Sequence, residues 1–396
     1  MANQLLITKQ TDKYVTAWAE DGRIRQLQVE PLQENGILGN IYVGKVRNIV
    51  KNINAAFVEY RKGEMGYLSL QSVFCPIHTD SVKHDQNRVL IGDEIIVQVE
   101  KEVVKTKPPT LTGELEFAGK YVVLTAGAEK VSISRKIKDK GIREELQIFL
   151  KECCKEKGYG ILARTNSASV SREELEKEIQ RLEQRFLELV SFGKHKAQFS
   201  CLYQSPPAYL ESIKDIYKER IGEVLTDDDE IFEAVSTFIK ESGWSEVPTL
   251  SLWNPEQGKM DAVYDISKTM EKALQQKVWL KNGAYLIIQP TEALVVIDVN
   301  TGKAIGKKDA QKNFLKVNLE AAKEIAVQLR LRNLSGIILV DFIDMLSEEA
   351  NKELLDTFRM ELGKDPVPAR LVDMTKLGLV ELTRKKVRKP LHEQLK

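Results

Sequence analysis

The chain has 396 residues, enough for several domains with their own cores, and its 59 lysines and arginines almost balance its 58 aspartates and glutamates. Because the net charge is close to zero, bulk positive charge is excluded as a means of binding nucleic acid, and any such binding requires local basic patches. The N-terminal residues lack the apolar core of a signal peptide and no window approaches ~20 apolar residues, so we expect a cytoplasmic protein without membrane contact.

The N-terminal part of the chain has the patterns of β-structure. Residues 4 to 30 alternate apolar and polar around the turn Glu20-Asp21-Gly22, which predicts a β-hairpin. From Ile41 to about Lys101, short strand patterns separated by turn residues follow in an all-β rhythm. They are Tyr42–Val46, Ala55–Tyr60, Gly66–Leu70 and Glu94–Val99. A small closed barrel is the predicted arrangement.

Two aromatic residues of this segment, Phe57 and Tyr67, are candidates for an outer strand face. Exposed rings on an OB-fold barrel stack on unpaired bases, each contributing ~1–3 kcal/mol, while nearby cations contact phosphates. The candidate cations are Lys45, Arg47, Lys51, Lys101, Lys105 and Lys107. From the residues alone, the apolar run around Phe57 favours a place in the barrel core, and Tyr67 stays undecided.

The middle of the chain predicts a second, mixed module. Strand patterns continue beyond the breaker Lys107-Pro108-Pro109, and Ser171 with Glu174 forms a capping box for a helix that ends near Gly193. From about residue 205, helical and strand patterns are mixed. The run Asp227-Asp228-Asp229-Glu230 lacks the glycine and the spacing of a calcium loop, so it predicts a solvated helix start.

Two strand patterns in the C-terminal part each end on an aspartate, Leu294–Asp298 and Ile337–Asp341. Apolar residues at helical spacing predict an amphipathic helix between them, from about Lys312 to Arg332. Such a unit favours parallel strands ~4.8 Å apart, so both aspartates leave the sheet at one edge. Carboxylates that close repel each other, and a hard cation such as Mg²⁺ relieves the repulsion. The alternative is that each aspartate caps a turn.

The same region carries a long resemblance to a known family. The run from Asp298-Val299-Asn300-Thr301-Gly302-Lys303, through residues 318–332, to Asp341-Phe342-Ile343-Asp344-Met345 resembles the core of the ribonuclease E/G family. The sequences Thr301-Gly302-Lys303 and Gly306-Lys307-Lys308 are more similar to the G branch of the family than to the E branch. Agreement extends to Gly39-Asn40-Ile41-Tyr42, Arg164-Thr165 and Gly378-Leu379-Val380-Glu381.

This resemblance implies an α/β (α+β) fold of several domains. An RNase H-like subdomain is implied for residues 1–35 and 210–273, with an OB-fold RNA-binding domain at 36–118 inserted into it. A sensor subdomain for the RNA 5′ end is implied at 119–209, and a DNase I-like catalytic subdomain at 274–396. In outline, an RNA-binding part interrupts the part that carries the two aspartates.

The resemblance also implies roles for single residues. Asp298 and Asp341 match the Mg²⁺ ligands, with Mn²⁺ as a substitute, and Asn300 matches the residue that orients them. Asp344 is left as a neighbour of this site, because strand alternation would turn it to the opposite face. Contacts to RNA are implied for Phe57, Tyr67, Lys101 and Lys107, and binding of a 5′-monophosphate for Gly119, Val123, Arg164 and Thr165. Phe57 thereby moves from the core to the RNA-binding face, whereas Arg164 taken alone would be a surface ion-pair partner.

Three departures from the family pattern affect these expectations. Pro368 stands where a basic residue assists 5′ sensing, and Pro108 stands where a glycine is usual. The two-cysteine zinc link of the family would follow the segment from Arg384 to Leu395, and the given sequence stops at Lys396. The cysteines present include no C-x-x-C pair, so we expect reduced thiols and no zinc, and a homodimer is left open. They are Cys75, Cys153, Cys154 and Cys201.

The implied activity is Mg²⁺-dependent endonucleolytic hydrolysis of single-stranded RNA in RNA processing and decay. Water attacks, and the products carry a 5′-phosphate and a 3′-hydroxyl. The four histidines are scattered and none lies in the motif of the aspartates, so no histidine pair supports a metal-free route. One alternative is a non-catalytic RNA-binding protein of the same fold, and another is a phosphodiesterase that acts on DNA, because stacking does not distinguish ribose from deoxyribose.

Overall fold

A computed structural model describes residues 3–32, 36–73, 76–80, 88–102, 108–127, 129–214, 222–244, 247–302 and 310–395. They form two compact units. The discontinuous unit comprises residues 1–35 and 218–396, and the inserted unit comprises residues 36–217. Within the described ranges, no helix has both the length and the apolar character that crossing a bilayer requires. Each unit has its own hydrophobic core.

The discontinuous unit begins with an antiparallel meander of β1 (Gln4–Lys9), β2 (Lys13–Glu20) and β3 (Arg23–Pro31). Asp21 and Gly22 join β2 to β3 with φ values of 50° and 70°. Positive φ at both central residues gives the turn that matches the twist of a hairpin. The hairpin predicted around this turn is therefore confirmed, and β1 precedes it as a third strand.

The inserted unit begins with a closed barrel. Its strands are β4 (Ile41–Val50), β5 (Ala55–Arg61), β6 (Glu64–Ser69), β7 (Glu94–Lys101) and β8 (Thr110–Thr112). The strand order is β4-β5-β6-β8-β7, and pairing of β4 with β7 closes the ring, which confirms the predicted OB-like barrel. A Cβ added at Gly66 would lie 2.5 Å from the Leu111 side chain, so the barrel packs tightly around this glycine.

A mixed α/β module completes the inserted unit. Its strands β9 (Glu116–Ala118), β10 (Val122–Ala126), β11 (Val131–Ile133) and β12 (Tyr159–Ala163) have the order β11-β12-β10-β9. The helices are α1 (Lys140–Cys154), α2 (Arg172–Lys194) and α3 (Ala208–Lys214), and β13 (Cys201–Tyr203) pairs with β4. The Ser171 side chain accepts a hydrogen bond from the backbone N–H of Glu174, so the predicted cap of α2 is confirmed.

The chain then returns to the first sheet. Strands β14 (Glu223–Thr226) and β15 (Thr249–Leu252) extend that sheet in parallel with β1, giving the order β15-β14-β1-β2-β3. Helices α4 (Asp229–Ser242), α5 (Met260–Val263) and α6 (Ile266–Leu274) accompany it. The Asp228 carboxylate accepts from the backbone N–H of Ile231, which confirms that the acidic run starts a helix.

A six-stranded sheet ends the discontinuous unit. It comprises β16 (Lys277–Trp279), β17 (Tyr285–Pro290), β18 (Leu294–Asn300), β19 (Gly336–Asp341), β20 (Ala369–Met374) and β21 (Val380–Arg384), in the order β16-β17-β18-β19-β21-β20. Helices α7 (Ala310–Leu331) and α8 (Glu348–Leu362) pack on one face, and α9 (Leu391–Gln394) follows. The helix predicted from about 312 to 332 is α7. The opposite face of this sheet is hereafter the open face.

Candidate active site

The two aspartates singled out by sequence lie opposite each other in the last sheet. Strands β18 and β19 are parallel, and Asp298 is the register partner of Asp341. Both side chains are exposed, whereas Ile297 and Val340, which precede them, are fully buried under the helices. Alternation of side chains therefore turns both carboxylates to the open face, on strands ~4.8 Å apart.

Asn300 lies two residues beyond Asp298 and on the same face of β18. Its side-chain amide donates a 2.7 Å hydrogen bond to Oδ2 of Asp298. This bond fixes the orientation of one carboxylate and leaves its other oxygen free of that contact. Among the described residues, neither aspartate forms an ion pair with lysine or arginine. Within the described part of the chain, the site therefore concentrates negative charge without a neutralising side chain.

The electrostatics of the pair reflect this concentration. Partial burial raises the pKa of Asp341, and the nearby charges of Asp298 and Asp344 raise that pKa further. β19 ends at Asp341, so strand alternation does not fix the direction of Asp344, and its charge adds to the repulsion. Within the described ranges no group of three His, Cys, Asp or Glu side chains is arranged to hold a metal ion. Two carboxylates completed by water and phosphate oxygens nevertheless suit a hard cation such as Mg²⁺.

A buried asparagine that the sequence analysis left without a role supports this edge of the sheet. Asn318 of α7 is fully buried and exchanges two hydrogen bonds with the backbone of Ile343, at 2.8 and 3.1 Å. It thereby fixes the chain just after Asp341 to the helix. The available signal was a polar residue on the apolar face of α7, where an unpaired amide would be costly.

The barrel brings three of the four expected RNA-contact residues, Phe57, Tyr67 and Lys101, into one row. Across β7, β8, β6 and β5, register partners run from Lys101 through Thr110 and Tyr67 to Phe57. The two rings are half-buried, with centroids 6.2 Å apart, whereas Ala56 and Val58 beside Phe57 are fully buried. The core placement of Phe57 suggested by its apolar run is therefore wrong, because alternation turns this residue outward.

The cations expected beside this row are only partly described. Lys101 is half-buried and forms a 3.5 Å ion pair with Glu100. Lys105 and Lys107 lie outside the described residues, as do Lys303 and the segment Gly306–Lys308 of the family motif. The described part of the barrel thus carries both predicted rings and one of the two lysines that the resemblance singled out.

The residues expected to bind a 5′-phosphate converge in the mixed module. The Arg164 guanidinium donates a 2.7 Å hydrogen bond to the carbonyl of Gly119. Thr165 begins a short 3₁₀ helix, and its hydroxyl lies 3.0 Å from that of Ser134. Val123 pairs with Leu162 on β12, two residues before Arg164. Gly119, Arg164 and Thr165 therefore lie at the same end of the paired strands β10 and β12, and Val123 belongs to the second residue pair from that end.

Glu178 of α2 supports this end and was missed by the sequence analysis. Its carboxylate is buried and accepts hydrogen bonds from the backbone N–H groups of Lys120, Tyr121 and Val122, at 2.9, 2.8 and 3.0 Å. A Cβ added at Gly119 would lie 2.5 Å from this carboxylate. The only sequence signal is an acidic residue among the apolar positions of α2.

Comparisons with known proteins find relatives along the whole chain. The model of the Ribonuclease E/G family matches residues 116–387. Ribonuclease G of Salmonella typhimurium and that of Escherichia coli K12 are each 30% identical over 405 residues, covering 100% of this chain and 82% of the relative. Ribonuclease E of Nostoc is 31% identical over 397 residues, covering 99% of this chain and 57% of the relative.

Proposed function

The chain belongs to the Ribonuclease E/G family and is an endoribonuclease, and we propose that it hydrolyses single-stranded RNA with a divalent cation held by Asp298 and Asp341. The observation that carries the proposal is the in-register placement of these two exposed carboxylates on parallel strands. No basic side chain among the described residues neutralises them, so the pair is suited to a cation and a phosphate diester.

The roles of the side chains follow from their geometry. When bound, Mg²⁺, for which Mn²⁺ substitutes, supplies a Lewis acid at the scissile phosphate and a water of lowered pKa. Asp298 and Asp341 supply the hard oxygen donors, and Asn300 holds Asp298 in its binding orientation. Asn318 holds the backbone that follows Asp341. Attack by water gives a 5′-phosphate and a 3′-hydroxyl.

We place RNA binding on the outer row of the barrel. Phe57 and Tyr67 offer partly exposed rings for unpaired bases, and Lys101 offers a cation for the phosphates, with Lys107 as a second one. Single strands are favoured over duplexes because only unpaired bases can stack on these rings. The barrel strands end at Thr112, whereas β9 (Glu116–Ala118) pairs with β10 of the mixed module, so we propose the domain border between Thr112 and Glu116 and not at residue 118.

We also propose that a 5′-monophosphate on the RNA stimulates cleavage. Arg164 and Thr165 supply a guanidinium and a hydroxyl, and Gly119 lies beside them, its carbonyl accepting a hydrogen bond from Arg164. Pro368 cannot add a charge or a donor, so this binding relies on the residues around Arg164. In the cell, the activity would serve RNA processing and decay in the cytoplasm.

One defined oligonucleotide tests hydrolysis and end sensing together. It is prepared with a 5′-monophosphate or a 5′-hydroxyl, incubated with Mg²⁺ or EDTA, and its products are mapped at both ends. We expect Mg²⁺-dependent cleavage to 5′-phosphate products, faster on the monophosphorylated substrate. Binding without any shortening would favour the non-catalytic RNA-binding alternative, and equal cleavage of a matched DNA would favour the DNA phosphodiesterase.

A further inference from the structure

The open face of the last sheet carries an aromatic and basic cluster that none of the roles above uses. Trp279 on the edge strand β16 is 63% exposed, and its ring centroid lies 5.3 Å from that of Tyr285 on β17. The Lys277 ammonium lies 4.1 Å from the Trp279 centroid and 3.8 Å from the Tyr285 centroid. The two rings and the ammonium group therefore form one contiguous patch, and exposed apolar surface beside polar groups is typical of an interaction site.

Strand register connects this cluster to the two aspartates. Trp279 pairs with Tyr285, and Tyr285 pairs with Asn300. Two residues away along each strand, a second row crosses these three strands and β19, and it consists of Lys277, Ile287, Asp298 and Asp341. Since residues paired in register point to the same face of a sheet, the rings and the carboxylates both lie on the open face.

The distance between rings and carboxylates suits a single RNA strand. Trp279 and Asp298 are separated by two strand spacings and by two residues along the strand, which places their Cα atoms about 12 Å apart. A strand whose scissile phosphate lies between Asp298 and Asp341 therefore extends over Asn300 and Tyr285 to the indole within a short distance. No helix covers this face at β16 among the described elements, because α7 and α8 pack on the opposite one.

We propose that Trp279, supported by Tyr285 and Lys277, is a stacking subsite for one unpaired base beside the scissile phosphate. The inference rests on the proposed cleavage site, and it adds a positioning element within the discontinuous unit itself. The indole supplies the flat surface, Tyr285 fixes its tilt by an edge contact, and Lys277 supplies positive charge for an adjacent phosphate. This combination of rings and a cation favours a nucleic-acid strand over a second protein surface, which would be expected to exclude a solvated lysine.

The chemistry of stacking predicts which bases are accepted. Every nucleobase has a π-face, so the subsite tolerates all four bases and discriminates against a missing one. Its contribution is to hold the strand in place over the carboxylates, which improves alignment of the scissile phosphate. An RNA that lacks the base at this one position should therefore be bound and cleaved less well than an RNA that lacks a base elsewhere.

The test uses a series of otherwise identical oligonucleotides, each lacking the base at one position around the cleaved bond. Binding is measured by fluorescence anisotropy in EDTA and cleavage is measured in Mg²⁺, for the wild type, Trp279→Ala and Trp279→Phe. For the wild type, removal of the base at one position near the cleaved bond should weaken RNA binding by about 5- to 150-fold. Trp279→Ala should bind the intact RNA more weakly by a similar factor, and removal of the base at that position should no longer change its affinity. Trp279→Phe should keep part of the dependence on this base.

Controls separate this subsite from folding and from the proposed function. Met360 of α8 is 57% exposed on the helical side of the sheet, so Met360→Ala removes an exposed apolar side chain and should leave binding unchanged. If the wild type cleaves RNA but Trp279→Ala keeps its full dependence on every base, the subsite is refuted and the cleavage site stands. If binding shows the positional effect but Mg²⁺ gives no cleavage, the proposed function fails, and the role of Trp279 beside a scissile phosphate fails with it, although its stacking on RNA is retained. A variant that changes only self-association in sedimentation would assign Trp279 to a second copy of the chain and overturn the inference.

Discussion

Replacing Glu178 by glutamine should loosen the loop that precedes β10 and weaken the response to the RNA 5′ end. Oε2 of Glu178 accepts from Tyr121 and Val122, and Oε1 accepts from Lys120. In the variant, the amide oxygen can keep the pair of bonds, but the amide NH₂ then faces the N–H of Lys120. One hydrogen bond is lost, and both the N–H of Lys120 and the new amide NH₂ are buried donors that face each other without an acceptor.

The expected magnitude follows from these bonds. A buried donor left unsatisfied costs about 1–3 kcal/mol, and the two remaining bonds lose the strength that the negative charge gave them, roughly 1 kcal/mol more. Arg181, 3.6 Å from Oε1, also loses a charged neighbour. We therefore expect local opening of the loop to become easier by about 2–4 kcal/mol, which corresponds to about 30- to 800-fold faster amide exchange at residues 120–122.

Hydrogen exchange followed by mass spectrometry measures this opening, and cleavage of 5′-monophosphorylated and 5′-hydroxyl RNA measures its effect on function. Glu178→Gln should lower the preference for the monophosphate and leave cleavage of the hydroxyl substrate unchanged. Gly119→Ala should act similarly because its Cβ displaces the carboxylate. Glu176→Gln, an exposed position on the same helix, is the matched control. Unchanged amide exchange at residues 120–122 and an unchanged preference for the 5′-monophosphate in Glu178→Gln would show that this carboxylate does not hold the loop in place.

Three further predictions concern the barrel, the core and the loop after β18. Phe57→Ala and Tyr67→Ala should each weaken binding of single-stranded RNA by about 1–3 kcal/mol without unfolding the barrel, and retained affinity in both would remove the rings from the RNA surface. Asp365→Asn leaves the guanidinium of Arg384 without its charged partner, and both side chains are only 3% exposed. The free energy of unfolding should therefore fall by about 3–5 kcal/mol in thermal unfolding, and an unchanged midpoint temperature would contradict a buried ion pair. Gly302→Ala places a Cβ against a backbone carbonyl at φ 53°, so cleavage should fall with little effect on RNA binding, and wild-type cleavage would contradict this close packing.

The sequence was sufficient wherever a local pattern determines the structure. The period of apolar residues located α7 to within two residues, and two strands that flank one helix were correctly expected to be parallel, which brought Asp298 and Asp341 into register. The capping box located the start of α2 for the same reason. In each case the signal and the structure that it determines lie in the same short segment of chain.

Features that depend on distant contacts could not be predicted in this way. Glu178 meets its backbone partners 56–58 residues away, so nothing in its own helix specifies them. The row of Trp279, Tyr285 and Asn300 depends on the register of three antiparallel strands, which a shift of one residue would destroy. Phe57 was misplaced by its own apolar run, because hydrophobicity alone does not tell which side of a closed barrel a residue faces.

The proposed mechanism requires Asp298 and Asp341 to share one divalent cation. Titration of Mn²⁺ into the metal-free wild type, followed by electron paramagnetic resonance, tests it without reference to RNA cleavage. We expect one ion per chain in the wild type, and loss of that ion in both Asp298→Asn and Asp341→Asn, while Asp356→Asn, which alters an exposed carboxylate on α8, binds as the wild type does. Equal Mn²⁺ binding by the wild type and by both active-site variants would show that these two carboxylates do not hold the ion.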